Sequence, residues 1–450
     1  MHRFLRKVAV FGIMVLFTVC VVVFLKYFEG EKPSLLFSAQ PRALGKSTPL
    51  MLKAIDRKSG LKSVAISLVQ NGKDHEIMKE EFPGRGLKEQ QYSLTIDVRK
   101  LGLRDGTADL VVKLRDHSLR KNETTIQTSV LIDTVPPRID FPQSVHYATP
   151  GGACLIIFTI SEETPKPTIT VNGESFTVVQ GTSSDKPFYF SYLAMPHDAS
   201  REPVVLVASE DLAGNQAVRS PRISLRQKKF KHDAMGVSDT FLNLKMPEFQ
   251  AVNAEIREKD AIDAFIYVNE TLRRKNNEEI RNICRQSDTV QFWTEAFDRL
   301  DGSAAMSTFG DRRTYFYKSK KVGSSIHLGI DLASTQNAPV PAANTGIVIF
   351  TDFLGIYGNT VIIDHGQGIS SLYSHLSSIV VSKSQRVTKG AVIGHTGMSG
   401  LAGGDHLHFS MLVDGRFVDP KEWWDRHWIY GNITKKFESV AKPAGPPQKS

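Results

Sequence analysis

Hydrophobic and polar positions along the 450-residue chain change rhythm several times. Residues 1–7 carry Arg3, Arg6 and Lys7, and Val8 to Leu25 then runs without a charge as far as Lys26. Eighteen such residues approach the length of a bilayer-crossing helix. The basic flank lies before the run, which sets the N-terminus in the cytoplasm and everything after Lys26 outside it. The expectation is a cytoplasmic segment (1–7) and an uncleaved single-pass anchor (8–25). A cleaved signal peptide is the rival, but the run is long for one and KYFEGEK offers no small-x-small site.

From residue 33 the period becomes two. SVAISLVQ, YSLTIDV and ADLVVKLRD alternate apolar with polar residues, and ACLIIFTIS, PTITVNG, SFTVVQG and PVVLVASEDLAGN repeat the short-strand style further on. Two prolines in DTVPPRID (Asp133 to Asp140) cannot continue a central strand. They divide two sandwich modules, 33–136 and 137–226. Helical spacing takes over in 227–300. Ser238-Asp239 caps a short helix predicted to stop before Pro247. Ala261, Phe265, Val268 and Leu272 then recur on one face, and Ile280, Ile283 and Cys284 resume it after a polar gap. This stretch reads as a helical linker or arm. Glycine-rich short strands return in 301–430, among them GIVIF, NTVIIDHG, SSLYSHL and AVIGHTG, and predict an antiparallel β-domain. The tail, 431–450, ends in KPAGPPQKS and is expected to be disordered. The fold class is thus multidomain and mainly β.

Two stretches carry the candidate chemistry. HLGIDL (His327 to Leu332), read as a strand, turns His327, Gly329 and Asp331 one way and its aliphatic residues the other. GDHLHFSM (Gly404 to Met411) turns His406, His408 and Ser410 away from Leu407, Phe409 and Met411. Two imidazoles and a carboxylate are zinc-type ligands, and three protein ligands leave a fourth position open. Six of the thirteen histidines fall between 327 and 408, a concentration that directs attention there. His365 in DHG and His395 in GHTG have no partner at ligand spacing and read as ordinary structural residues. His375, in SLYSHLS, is free and is predicted to share a strand face with Tyr373. Imidazole moves protons near neutral pH, as a hydrolytic site requires.

Composition narrows the partners. The net charge of +9 favours anionic surroundings such as a membrane surface or an acidic wall polymer. The positive charge is dispersed and no nucleic-acid motif is present, so nucleic acid is not an expected partner. Three scattered cysteines, Cys20, Cys154 and Cys284, support neither a disulfide framework nor a cysteine-bound zinc.

DTVPP and the D-x-A-G-N turn at Asp211 to Asn215 resemble bacterial Ig-like modules, for which a spacer role is expected. H-x-x-x-D, a later Y-x-H-L and a final H-L-H-F, in this order, resemble peptidase family M23, the lysostaphin-like or LytM-like zinc endopeptidases, over about residues 305–425. The resemblance implies that His327, Asp331 and His408 bind Zn2+ and that His375 and His406 are the catalytic pair. It also implies peptidoglycan cross-bridges as substrate. Ser410 departs from the family pattern, which often has an acidic residue there, and Ser384 stands where glycine is frequent. The helical-protease motif H-E-x-x-H is absent. The resulting expectation is a zinc endopeptidase on the outer side of the bacterial cytoplasmic membrane, with peptidoglycan and envelope regulators as partners. The alternative is a non-hydrolytic peptidoglycan-binding activator of another envelope hydrolase.

Overall fold

The computed structural model describes residues 2–182, 187–198 and 202–441. Two compact units emerge from its contacts. The first holds Met1–Arg138 with Ser161–Lys166 and Ser209–Ala217; the second holds Ile139–Ile160, Pro167–Ala208 and Val218–Ser450.

In the first unit the N-terminal run is a helix, His2–Tyr27. Its Phe4–Phe24 portion is long and apolar enough to cross a membrane, and none of it is buried inside the protein. A five-stranded and a three-stranded sheet follow. Their alternating pattern packs one core. Leu61, Val64, Ile66 and Leu68 point inward from one sheet, and Leu50, Leu52 and Ile96 from the other. The hairpin of Leu61–Gln70 and Lys73–Glu81 turns at Asn71-Gly72, both with positive φ, which matches the strand twist.

In the second unit the run ACLIIFTI forms Ala153–Ile160 and pairs with Pro187–Ala194. It is buried almost throughout, as a strand apolar on both faces must be. Cys154 and Cys284 are buried free thiols.

The helices of this stretch run longer than Pro247 and the polar gap suggest. Ser238 caps the helix Asp239–Val252 by accepting the Phe241 N–H, but the helix runs through Pro247 instead of stopping before it. An interior proline costs about 3 kcal/mol. Leu242 and Met246 before it and Phe249 after it are all buried in one core, and that burial offsets the loss. Ala261–Tyr267 and Arg273–Ile283 join through a π-helical turn, Val268–Leu272, and the polar gap stays helical. Asn276 explains this: it is buried and its Oδ1 accepts the Ile356 N–H.

The C-terminal strands are β1 (Ala304–Ser307), β2 (Arg312–Tyr317), β3 (Lys320–Ile326), β4 (Ile330–Ala333), β5 (Gly346–Phe353), β6 (Asn359–Gly366), β7 (Ile369–Leu376), β8 (Arg386–Val387), β9 (Leu407–Val413) and β10 (Arg416–Val418). An eight-stranded antiparallel sheet runs β1-β4-β9-β7-β6-β5-β8, with β10 on β9. β2 and β3 form a hairpin whose outer edge pairs in parallel with His232–Gly236 from the basic stretch. One face of the large sheet contributes Ile362, Leu372 and Leu412 to the core of the helical stretch. On the other face Tyr373 packs on Phe409, and Phe409 on Trp424. Helices continue through Ala441, where disorder was expected from 431. Ile433 is buried and Phe437 packs edge-on to Phe190, so the amphipathic pattern before the prolines prevails. Residues 442–450 lie outside the described residues.

Candidate functional site

The site is built where β4 and β9 pair. Asp331 and His408 are cross-strand partners, which brings their side chains onto one face. Phe409 and Leu407, opposite Ile330 and Leu332, take the buried face. His327 reaches the site differently from the sequence expectation. HLGIDL is not one strand, because β4 begins only at Ile330. The His327 N–H donates to Asp311 O and its carbonyl accepts from Gly310 N–H, so the backbone is claimed by the 308–311 turn before it can join the sheet. Gly329 occupies the break. A Cβ there would lie 2.6 Å from His408 Cε1 and Nε2, so only glycine lets the imidazole settle against the chain.

His375 sits on a second irregularity. Regular alternation would place it with Tyr373, on the Phe409 side. The register between β6 and β7 slips between Asn359/Val361, and His375 adopts φ 62°. This bulge turns the ring to the other face, 4.9 Å from His406 and 5.8 Å from His408 between centroids. Tyr373 stays behind, its hydroxyl accepting the Ala343 N–H.

Three donor atoms converge. His327 Nε2 lies 2.9 Å from Asp331 Oδ1 and 3.0 Å from His408 Nδ1, and the third edge, His408 Nδ1 to Asp331 Oδ1, is 2.9 Å. A tetrahedral ion with ligands at about 2.0 Å has edges of about 3.3 Å, so the triangle fits one small cation. The outer contacts aim these atoms. His327 Nδ1–H donates to Thr308 O, which leaves Nε2 with its lone pair inward. Ser410 Oγ lies 3.1 Å from His408 Nε2 and donates to Leu328 O. The serine thus stands behind the imidazole at the position where it departs from the family pattern. Arg313 on β2, in the FGDRRTY stretch of the resemblance but given no role from the sequence, donates to Asp331 Oδ2 at 3.1 Å. Its strand lies outside the large sheet, so no spacing rule connects it to Asp331.

His375 and His406 each tie Nδ1 to a backbone carbonyl, Ser399 O and Gly404 O, and keep Nε2 for the cleft. Burial, with the neighbouring His406 and His408, holds His375 well below the usual histidine range. Burial likewise takes His408 down to about 4 against the pull of Asp331. For His406 burial acts downward, but Asp331, 3.5 Å from its Nε2, outweighs it and raises the ring. Burial would lift Asp331, and the three surrounding histidines instead hold it well below the usual carboxylate range. His365 and His395 stay outside the cluster. His365 is buried between Thr345 O and Ser371 Oγ, and His395 meets Ser378 Oγ.

The cluster floors a cleft of about 340 Å³. Phe241, Phe265, Arg273 and Asn277 of the helical stretch line it too, together with Tyr357 and Leu401.

Residues 325–420 match the model of peptidase family M23. The DD-carboxypeptidase/endopeptidase Mpg of Neisseria meningitidis serogroup B is 40% identical over 95 residues, 21% of this chain and 22% of that protein. The peptidoglycan DD-endopeptidase ShyA of Vibrio cholerae is 35% identical over 137 residues, 30% of this chain and 31% of that one. The chain therefore spans under a third of the length of these curated relatives. The solved catalytic domain of lysostaphin from Staphylococcus simulans is 22% identical, with a TM-score of 0.25 over 29% of this chain and 98% of that domain. With His327, Asp331 and His408 all inside the matched span, the part of the chain that carries the site is a domain of peptidase family M23.

Proposed function

We propose that the chain is a zinc endopeptidase that hydrolyses amide bonds in the peptide cross-links of peptidoglycan. The observation that carries this is the triangle of His327 Nε2, Asp331 Oδ1 and His408 Nδ1, with two further imidazoles beside it in one cleft. His327, Asp331 and His408 would hold the zinc. When bound, the ion supplies a Lewis acid and a water acidified to a pKa of about 7. His375 and His406 are the proton-handling pair. A ring whose Nδ1–H is donated to a carbonyl has its Nε2 lone pair ready to accept a proton. The two rings, 4.9 Å apart, would between them take the proton of the attacking water, return one to the leaving amine and support the oxyanion.

The names of the two relatives, both endopeptidases, favour this substrate class. The helix Phe4–Phe24 would hold the chain in the cytoplasmic membrane with the catalytic domain outside it, where wall polymer is within reach. Purified full-length protein incubated with sacculi should release cross-link fragments identifiable by mass spectrometry. His408→Ala should lose bound zinc and activity together. His375→Ala should keep zinc and lose turnover; full activity in that variant contradicts a proton-handling role for this ring. A protein that binds zinc and sacculi but releases nothing would instead be an activator of another hydrolase.

A further inference from the structure

A second constellation lies in the first unit, at the exit of the N-terminal helix. Glu29, Asp56 and Asp116 are each at most 5% exposed. One ligand oxygen from each lies within 4.8 Å of the others. Most of their remaining valences are held by backbone. Glu29 Oε1 accepts Ser59 N–H, Asp56 Oδ1 accepts Lys58 and Gly60 N–H, and Asp116 Oδ1 accepts Ser118 N–H. Asn122 Nδ2 donates to Asp116 Oδ2 and also to Glu29 O. Glu29 Oε2 is different: it is buried and accepts no hydrogen bond. Ser59 Oγ, on the residue whose N–H holds Glu29, is buried without a partner too.

Three buried carboxylates in one place require a counter-charge. The ammonium of Lys58 is 4.0 Å from Glu29 Oε2, but its side chain is 54% exposed and it pairs at 3.1 Å with Glu31. It lies beside the cluster rather than within it. All-oxygen ligation without histidine or cysteine selects a hard cation. Calcium accepts an irregular set of carboxylate oxygens at about 2.4 Å, whereas magnesium demands a near-ideal octahedron at about 2.1 Å and keeps its waters, so three carboxylates already held by backbone N–H groups suit calcium better. We propose that Glu29, Asp56 and Asp116 bind a calcium-class divalent cation that fastens the segment following the N-terminal helix to the first β-core.

The frame recurs further along the chain. Asp211 Oδ1 accepts Ala213 and Asn215 N–H, while Asn215 Nδ2 donates to Asp211 Oδ2 and Asp133 O, as Asn122 does to Asp116 and Glu29. There Asp133 and Glu162 are only half-buried and within reach of water, so no cation is assigned to them.

The test uses the zinc-loaded full chain in detergent, passed over chelating resin and titrated with CaCl2. Wild type should bind calcium with submillimolar affinity, and Glu29→Gln should bind one equivalent fewer or at least tenfold more weakly. Lys58→Met should bind as well as wild type or better. Calcium should also slow cleavage after Glu31 by a glutamate-specific protease in wild type and not in Glu29→Gln. If Glu29→Gln fails to fold, the wild-type and Lys58→Met titrations decide. No calcium uptake at millimolar concentration overturns the proposal, as does uptake unchanged in Glu29→Gln. Uptake only in Lys58→Met would show that the ammonium holds the seat and overturns it as well. Equal affinity for MgCl2 overturns the assignment to calcium.

Discussion

Gly329 shows how a single missing atom decides the geometry of the cluster. Any Cβ at that position meets the His408 ring and Ser410 Oγ at 2.6 Å, so the ring must rotate or retreat. Gly329→Ala should therefore weaken zinc binding by about 10- to 100-fold, the range seen when metal-ligand support is lost. Competition with a chromogenic chelator measures this; unchanged affinity would mean that the ring can shift without disturbing its ligand nitrogen. Some of this scale is legible in the chain. His408 and Ser410 share a face by period two alone, and Asp331 follows from pairing β4 with β9. Arg313 is not legible, since its contact with Asp331 arises from packing between separate sheets. His375 is picked out by the Y-x-H-L resemblance, but its orientation is not legible, because it depends on a bulge set by its neighbours rather than on its own alternation.

Elements differ from their sequence expectations wherever burial competes with a local signal. Pro247 signals a helix end, and buried side chains on both sides of it keep the helix going. HLGIDL signals a strand, and a turn takes its first residues. A pH-sensitive contact belongs to this scale. The helix Pro420–Trp424 places Glu422 against Thr149 Oγ1 and the Ala153 N–H. Burial is the main cause that pushes its carboxyl up to about 7, with Asp419 adding repulsion and the two donors opposing. Between the ordinary value of 4.5 and about 7, the folded chain keeps a proton that the unfolded chain has released. The stability this group contributes is thus complete below pH 4.5 and is lost as pH rises towards 7. Glu422→Gln should gain thermal stability relative to wild type as pH goes from about 5 to about 8. Melting curves at the two values test it; a difference that does not change with pH rules out Glu422 as the source.

At the scale of the whole molecule, sequence periodicity carries the mainly β character and the apolar helix, because both are local patterns. It does not carry the assembly of the cleft, whose lining draws Phe241, Phe265, Arg273 and Asn277 from the helical stretch. The membrane reading has its own test. In a cell fractionation the full chain should stay with the membranes through high salt and alkaline carbonate and leave them only with detergent. Release by salt would mean that the +9 charge, not the helix, holds it there.

The wall formed by Phe241 and Phe265 is pinned by Leu242, Met246 and Phe249 beneath it. It cannot swing aside without unpicking that packing. That side of the cleft is therefore fixed rather than hinged, and whatever enters has to match the room already there instead of drawing a lid down over itself.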